Sequence, residues 1–189
     1  KFMKKIAIVF HSGYGHTHRQ AEAVLAGTTE VSGVTGKLYA VTELDDAAWA
    51  ELDAADALIF GSPTYMGSAA AKMKEFMETS SGRWYNRAWK DKLAAGFTCS
   101  ASQNGDKLNT LVEFFIFASQ HAMLWVGLDL LPGNNSSKGS VDDLNRLGTA
   151  SGAMAQANSD QGAEAMLDSD LKTAATLGRR VAETLLRLN

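Results

Sequence analysis

The stretch IAIVFHSGYGHTHRQAEAV, residues 6–24, decides the fold. A continuous apolar run ends at a loop of small and hydroxyl residues, SGYGHT (12–17), which opens directly into a helix-like pattern. An unbroken apolar run of this length reads as a strand covered on both faces. A strand feeding a helix at once is the first half of a β-α-β unit. The loop between them sits where a helix N-terminus offers unbonded N–H groups and positive potential, so an anion is its natural guest. Ser12 and Thr17 add hydroxyls, and Gly13 and Gly15 allow close backbone approach. Two better-known phosphate loops fail here: a Walker A loop needs a lysine, and the dinucleotide fingerprint needs a glycine where His18 stands. Hydroxyls in place of lysine or arginine suit a monophosphate that is held and not transferred. The competing reading is an ordinary Gly/Ser turn.

Working outward, apolar β-type runs alternate with amphipathic segments. Strands are expected at 5–10, 37–41, 56–61, 92–100 and 123–128. Helices are expected at 18–30, 46–53, 69–79, 107–121 and 168–188. This alternation implies a parallel sheet with right-handed crossovers and helices on both faces. Ligands in such sheets bind beyond the C-terminal ends of the strands, at the point where strand order reverses. The loops after strands one, three and four are therefore the diagnostic ones. Residues 132–166 are rich in Gly, Ser, Asn and Ala. A long irregular segment inside a compact domain is functional or disordered, and here it has the character of a pocket wall.

Bulk properties narrow the function classes. The chain has 189 residues and reads as a single domain over 1–189; a net charge of −3 without a basic run argues against a nucleic-acid partner. No apolar stretch is long enough for membrane insertion, and no secretory pattern opens the chain, so a cytoplasmic location is expected. Cys99 is the single cysteine, which excludes an internal disulfide and a cysteine-based metal cluster; no metal site is expected. Lys1 and Phe2 precede Met3, which reads as a natural start, so those two residues are expected to be added sequence.

With these elements in place, SGYGHT resembles the FMN-phosphate loop of flavodoxin-like flavoproteins, and its Tyr-Gly-His version is similar to that of WrbA-type NAD(P)H:quinone oxidoreductases within the NADPH-dependent FMN reductase superfamily. GSPTYMGSAAAKMKEFMETSSGRW (61–84), FTCSASQNGDKLNT (97–110) and SQHAMLWVGL (119–128) resemble further family motifs in the family's order, with Ala122 in place of a glycine. The family's longer segment between strands two and three is short here (42–55), and its Gly-rich stretch after strand five is replaced by NRLGTASGAMAQAN. The resemblance implies a three-layer α/β/α sandwich, flavodoxin-like, with a five-stranded parallel sheet in the order 2-1-3-4-5.

It also implies a cofactor site. Ser12, Gly13, Tyr14, Gly15, His16 and Thr17 are expected around the FMN phosphate. Pro63, Thr64, Tyr65, Met66 and Gly67 are expected along the flavin edge. Ser100, Ala101, Ser102, Gln103, Asn104 and Gly105 are expected against the ring. Trp84 stands where the family places a substrate-facing tryptophan; the alternative is a core or interface residue. His121 could hydrogen-bond a quinone oxygen or supply a proton, and a satisfied structural histidine is an equally good reading. These two form the expected catalytic set.

The function implied is hydride transfer from NAD(P)H, as co-substrate, through FMN to a quinone-like acceptor, two electrons at a time with ping-pong kinetics. The alternative is a flavodoxin-type electron carrier without its own substrate. Phe114, Phe115, Ile116 and Phe117 run consecutively along the 107–121 helix and cover more than one of its faces. The surplus predicts an exposed apolar patch and a homodimer or homotetramer. The competing reading is that segment 132–166 folds over that patch within the chain.

Overall fold

The computed structural model describes residues 3–188; Lys1, Phe2 and Asn189 lie outside the described residues, and with them the expectation about the first two. Strands β1 (Lys4–Phe10), β2 (Val34–Ala40), β3 (Ala57–Tyr65), β5 (Leu93–Ser100) and β6 (Leu124–Trp125) form one sheet in the order β2-β1-β3-β5-β6. Pairing along this path is parallel throughout. A short β4 (Ser68–Ala69) turns back antiparallel on β3, and β7 (Ala153–Gln156) pairs parallel with β5. The helices are α1 (His16–Thr29), α2 (Asp46–Ala54), α3 (Ala71–Thr79), α4 (Ser81–Tyr85), α5 (Lys107–Gln120) and α6 (Asp168–Arg187). This is the expected flavodoxin-like α/β/α sandwich.

Side chains alternate across a strand, so each strand feeds two cores. Ile6, Ile8 and Phe10 join Val24, Leu177 and Val181 beneath α1 and α6. Ala7, Val9, Leu58 and Phe60 join Leu52, Met73, Phe76, Leu111 and Phe114 beneath α2, α3 and α5.

The fifth position of the sheet differs from the sequence-based expectation of one strand over 123–128. It is filled by two short pieces: β6 opposes Leu93–Ala94, and β7 opposes Phe97–Ser100. Between them the chain leaves the sheet and returns. After Val126, whose amide still bonds the Ala94 carbonyl at 2.7 Å, the place beside β5 is taken by the returning residues. The amide of Leu128 bonds the Ala150 carbonyl at 2.9 Å, and a Cβ placed on Gly152 would stand 2.3 Å from the Gly96 carbonyl oxygen. A strand continuing through 128 would occupy that space.

The excursion is ordered by buried polar anchors. The Asn145 side chain donates to the carbonyls of Leu130 and Thr149, and its amide N–H donates to Thr173 Oγ1 on α6. Arg146 forms a two-pronged ion pair with Asp170 of α6 at 2.8 and 2.7 Å. Segment 132–166 therefore packs against α6 and leaves the outer face of α5 uncovered, where Phe115 and Ile116 are 49% and 53% exposed. α4 was not expected as a helix.

Candidate functional site

On the C-terminal side of the sheet lies a cavity of about 560 Å³. That falls in the size range of small-molecule and cofactor sites, roughly 300–1,000 Å³. The loop after β1 forms one end, with Gly13, Tyr14, His16 and Thr17 on its surface. Pro63 and Tyr65 come from the end of β3, Cys99, Ser100 and Ala101 from the end of β5, and Ala157, Ser159, Asp160 and Gln161 from the segment after β7.

The β1 loop is shaped around Ser12. Its Oγ accepts from the amides of Gly15 (3.1 Å) and His18 (3.2 Å), which closes the turn into α1. Gly15 takes the left-handed conformation at φ 94°, where a side chain would be strained. Gly13 lies under the Tyr65 phenol, and a Cβ there would meet the phenol oxygen at 2.3 Å. Among the described residues, the amides of Gly13, Tyr14, His16 and Thr17 have no acceptor. No acidic side chain occupies the first turn of α1. Unbonded amides at a helix start, glycine access and no competing carboxylate are what a phosphate dianion requires.

The cavity walls also offer the apolar faces of Pro63, Tyr65, Ala101 and Ala157. Tyr14 and Tyr65 meet edge-to-face, with centroids 6.5 Å apart, at its mouth. The residues thus fit a ligand that joins a phosphate to a flat apolar ring, as FMN does. Burial pushes the Cys99 thiol up, and its Sγ sits 3.4 Å from Thr17 Oγ1, so it is a neutral packing group on the cavity floor.

Other expected residues serve behind the walls. Thr64 is buried, its hydroxyl bonded to Thr98 (2.7 Å) and Thr110 (2.8 Å), which locks the end of β3 to β5 and α5. Met66 is fully exposed in a left-handed conformation, and the Gly67 carbonyl is held by Asn109 Nδ2 at 2.7 Å. Ser102 gives its carbonyl to Lys107 Nζ. Gln103, Asn104 and Gly105 form an exposed-to-half-buried turn in which the Asn104 side chain caps the Asp106 amide at 2.9 Å. None of these lines the cavity directly.

Neither residue of the expected catalytic set lines it either. α5 starts beside the cavity and runs back along the sheet, so its C-terminal end lies ~20 Å away by helix rise. His121 stands at that end, buried at 3% exposure, with Nε2 2.9 Å from Ser80 Oγ and its ring against Trp89 and Phe117. Trp84 is 44% exposed on α4 and shares a shallow surface hollow with Phe115 and Ile116. Nearby Arg83 is committed to Asp53 at 2.9 Å and lies over the Trp49 ring.

The sequence reading gives segment 132–166 the character of a pocket wall without singling out Ala157, Ser159, Asp160 and Gln161, which line the cavity. Their only signal was the irregular composition of the segment that holds them. His16 Nε2 donates to the Gln161 carbonyl at 2.8 Å and ties that wall to the β1 loop.

Residues 43–127 match the NADPH-dependent FMN reductase family. The chain is 43% identical over 180 residues to Flavodoxin FldP of Pseudomonas aeruginosa (strain UCBPP-PA14), spanning 95% of this chain and 96% of that protein. It is 33% identical over 205 residues to an NAD(P)H dehydrogenase (quinone) of Geobacter sulfurreducens, spanning 97% and 98%. A crystal structure of a flavodoxin, WrbA-like protein from Agrobacterium tumefaciens superposes with a TM-score of 0.78 at 40% identity, covering 98% of this chain and 99% of that one.

Proposed function

The chain belongs to the WrbA-type, flavodoxin-like FMN proteins, and on that premise we propose that it is an FMN-dependent oxidoreductase carrying electron pairs from NAD(P)H to a quinone-like acceptor. The observation that supports this best is the cavity at the strand ends, which combines the unbonded amides of the β1 loop with apolar walls. Bound FMN supplies a ring that takes up a hydride and passes an electron pair on.

The protein's own residues do the rest. The amides of Gly13, Tyr14, His16 and Thr17 hold the phosphate. Ser12 fixes the loop, and Pro63, Tyr65, Ser100 and Ala101 flank the ring. The mouth beside Tyr14 and Tyr65 admits a flat co-substrate. Trp84 lies on the same surface as Phe115 and Ile116, so an apolar contact between two copies through this face would bury it. We propose at least a homodimer on that ground. A cytoplasmic setting suits the NAD(P)H requirement.

A second reading, an electron carrier, draws on the 43% identity to a protein named a flavodoxin. Steady-state assays separate the two. An enzyme reduces a benzoquinone with NAD(P)H alone, giving parallel double-reciprocal lines. A protein that binds FMN but turns over only when a separate reductase is added is a carrier.

A further inference from the structure

The β1 loop accounts for one end of the cavity. The wall at the end of β5 hides a charge that packing does not require. Lys107, the first residue of α5, is 1% exposed. Its Nζ donates to Ser100 Oγ at 2.7 Å and to the Ser102 carbonyl at 2.6 Å. The ammonium therefore lies directly behind the stretch whose Ser100 and Ala101 face the cavity.

No carboxylate bonds it among the described residues. Asp170 is the acid that acts on it through space, and that carboxylate is already paired with Arg146 and takes the Gln156 amide at 2.9 Å. Behind this wall two cations, Lys107 and Arg146, share one anion. The Cys99 thiol, pushed up by burial, does not supply the missing charge. An uncompensated buried charge is costly, and burial brings the Lys107 ammonium down to about 8. A neutral donor could brace Ser100 and Ser102 at less cost.

We propose that Lys107 is a charge-selecting residue of the cavity, whose field through the Ser100–Ser102 wall favours the anionic, two-electron-reduced flavin over the oxidised one. This rests on the reading that the cavity binds FMN. The balance is simple: the ring gains a hydride, two electrons and one proton, from NAD(P)H, which leaves as NAD(P)⁺, and the bound group gains one negative charge. Lys107 forms and breaks no bond in this step. A loop brace alone would serve both oxidation states equally, so the two roles are separable.

The test uses the full chain with Lys107→Gln, which keeps a donor and removes the charge, and Lys107→Arg, which keeps the charge. Fluorescence quenching gives the affinity for oxidised FMN, and anaerobic titration against a reference dye gives the potential of the bound group. For Lys107→Gln the oxidised form should bind nearly as in the parent. The reduced form should bind about tenfold more weakly, a fall of ~30 mV for a two-electron couple. Lys107→Arg should stay near the parent. Equal losses for both oxidation states with an unchanged potential would overturn the proposal and leave Lys107 a brace. No FMN uptake by the parent would overturn the reading of the cavity, and this inference with it.

Discussion

Helix α5 buries a basic side chain at each end, and the surroundings of the two ends differ. At the C-terminal end His121 packs its ring 4.5 Å from Trp89 and 4.8 Å from Phe117. Burial, with Arg87 nearby, pushes its imidazole down to about 4. The Ser80 hydroxyl already donates to the Met77 carbonyl at 2.7 Å, so the imidazole Nε2–H donates to Ser80 Oγ. His121 is thus a neutral group in an aromatic box. At the N-terminal end Lys107 is as deeply buried and keeps its charge, with hydroxyl and carbonyl partners instead of an acid. Burial alone therefore does not mark a functional residue. What separates the two ends is what lies behind the wall: a closed apolar core in one case, a cavity in the other.

The charge cluster at the Lys107 end gives the largest expected effect. Asp170→Asn leaves Arg146 and Lys107 buried without an anion and should cost about 3–5 kcal/mol in urea unfolding. A loss under about 1 kcal/mol would show that water reaches the cluster, and the contrast between the two ends would collapse.

The His121 end makes a pH prediction. Its folded value lies below the ordinary 6.5, so the unfolded chain binds the proton first as pH falls. The His121 contribution is complete above 6.5 and is lost toward 4, at up to about 1.4 kcal/mol per pH unit. Subtracting the pH–stability curve of His121→Gln from that of the parent should reveal this slope. Parallel curves would mean that His121 is not shielded from water.

Smaller effects sharpen the picture at the cavity and on the outer face of α5. Ser12→Ala removes the acceptor for two amides at the start of α1 and should cost about 1 kcal/mol of stability. It should also weaken FMN binding while leaving riboflavin binding nearly unchanged. Ile116→Ser, on the exposed side of α5, should change the stability of a single chain by no more than ~0.5 kcal/mol. Light scattering should nevertheless show the mass shifting from dimer toward monomer. A parent that is already monomeric would remove the reason for that exposed face.

Much of this was legible in the sequence, for identifiable reasons. The long elements announce themselves by period: the apolar run of β1 and the helical spacing of α5 and α6 survive in the structure within a few residues. The turn after β1 was legible because its chemistry is local, a serine and two glycines at one helix start. The split edge strand was not. β6 and β7 are 28 residues apart in the chain, and their alignment on β5 depends on Asn145, Arg146 and Asp170, whose partners come from distant elements. Residues 157–161 entered the cavity by the same route. Nothing in the sequence singles out Lys107, since a lysine at a helix start is ordinarily exposed. Only the closure of the Ser100–Ser102 turn over it shows that it is buried.

The central claim is that the loop after β1 holds a phosphate and the adjoining walls hold a flavin ring. The direct test is a pair of fluorescence titrations of the purified chain, one with FMN and one with riboflavin, which differ only in the phosphate. The account predicts one FMN per chain bound at micromolar concentration or below, with riboflavin at least about tenfold weaker, the equivalent of ~1.4 kcal/mol for the phosphate contacts. Equal affinity for the two ligands, or no binding of either, would contradict it.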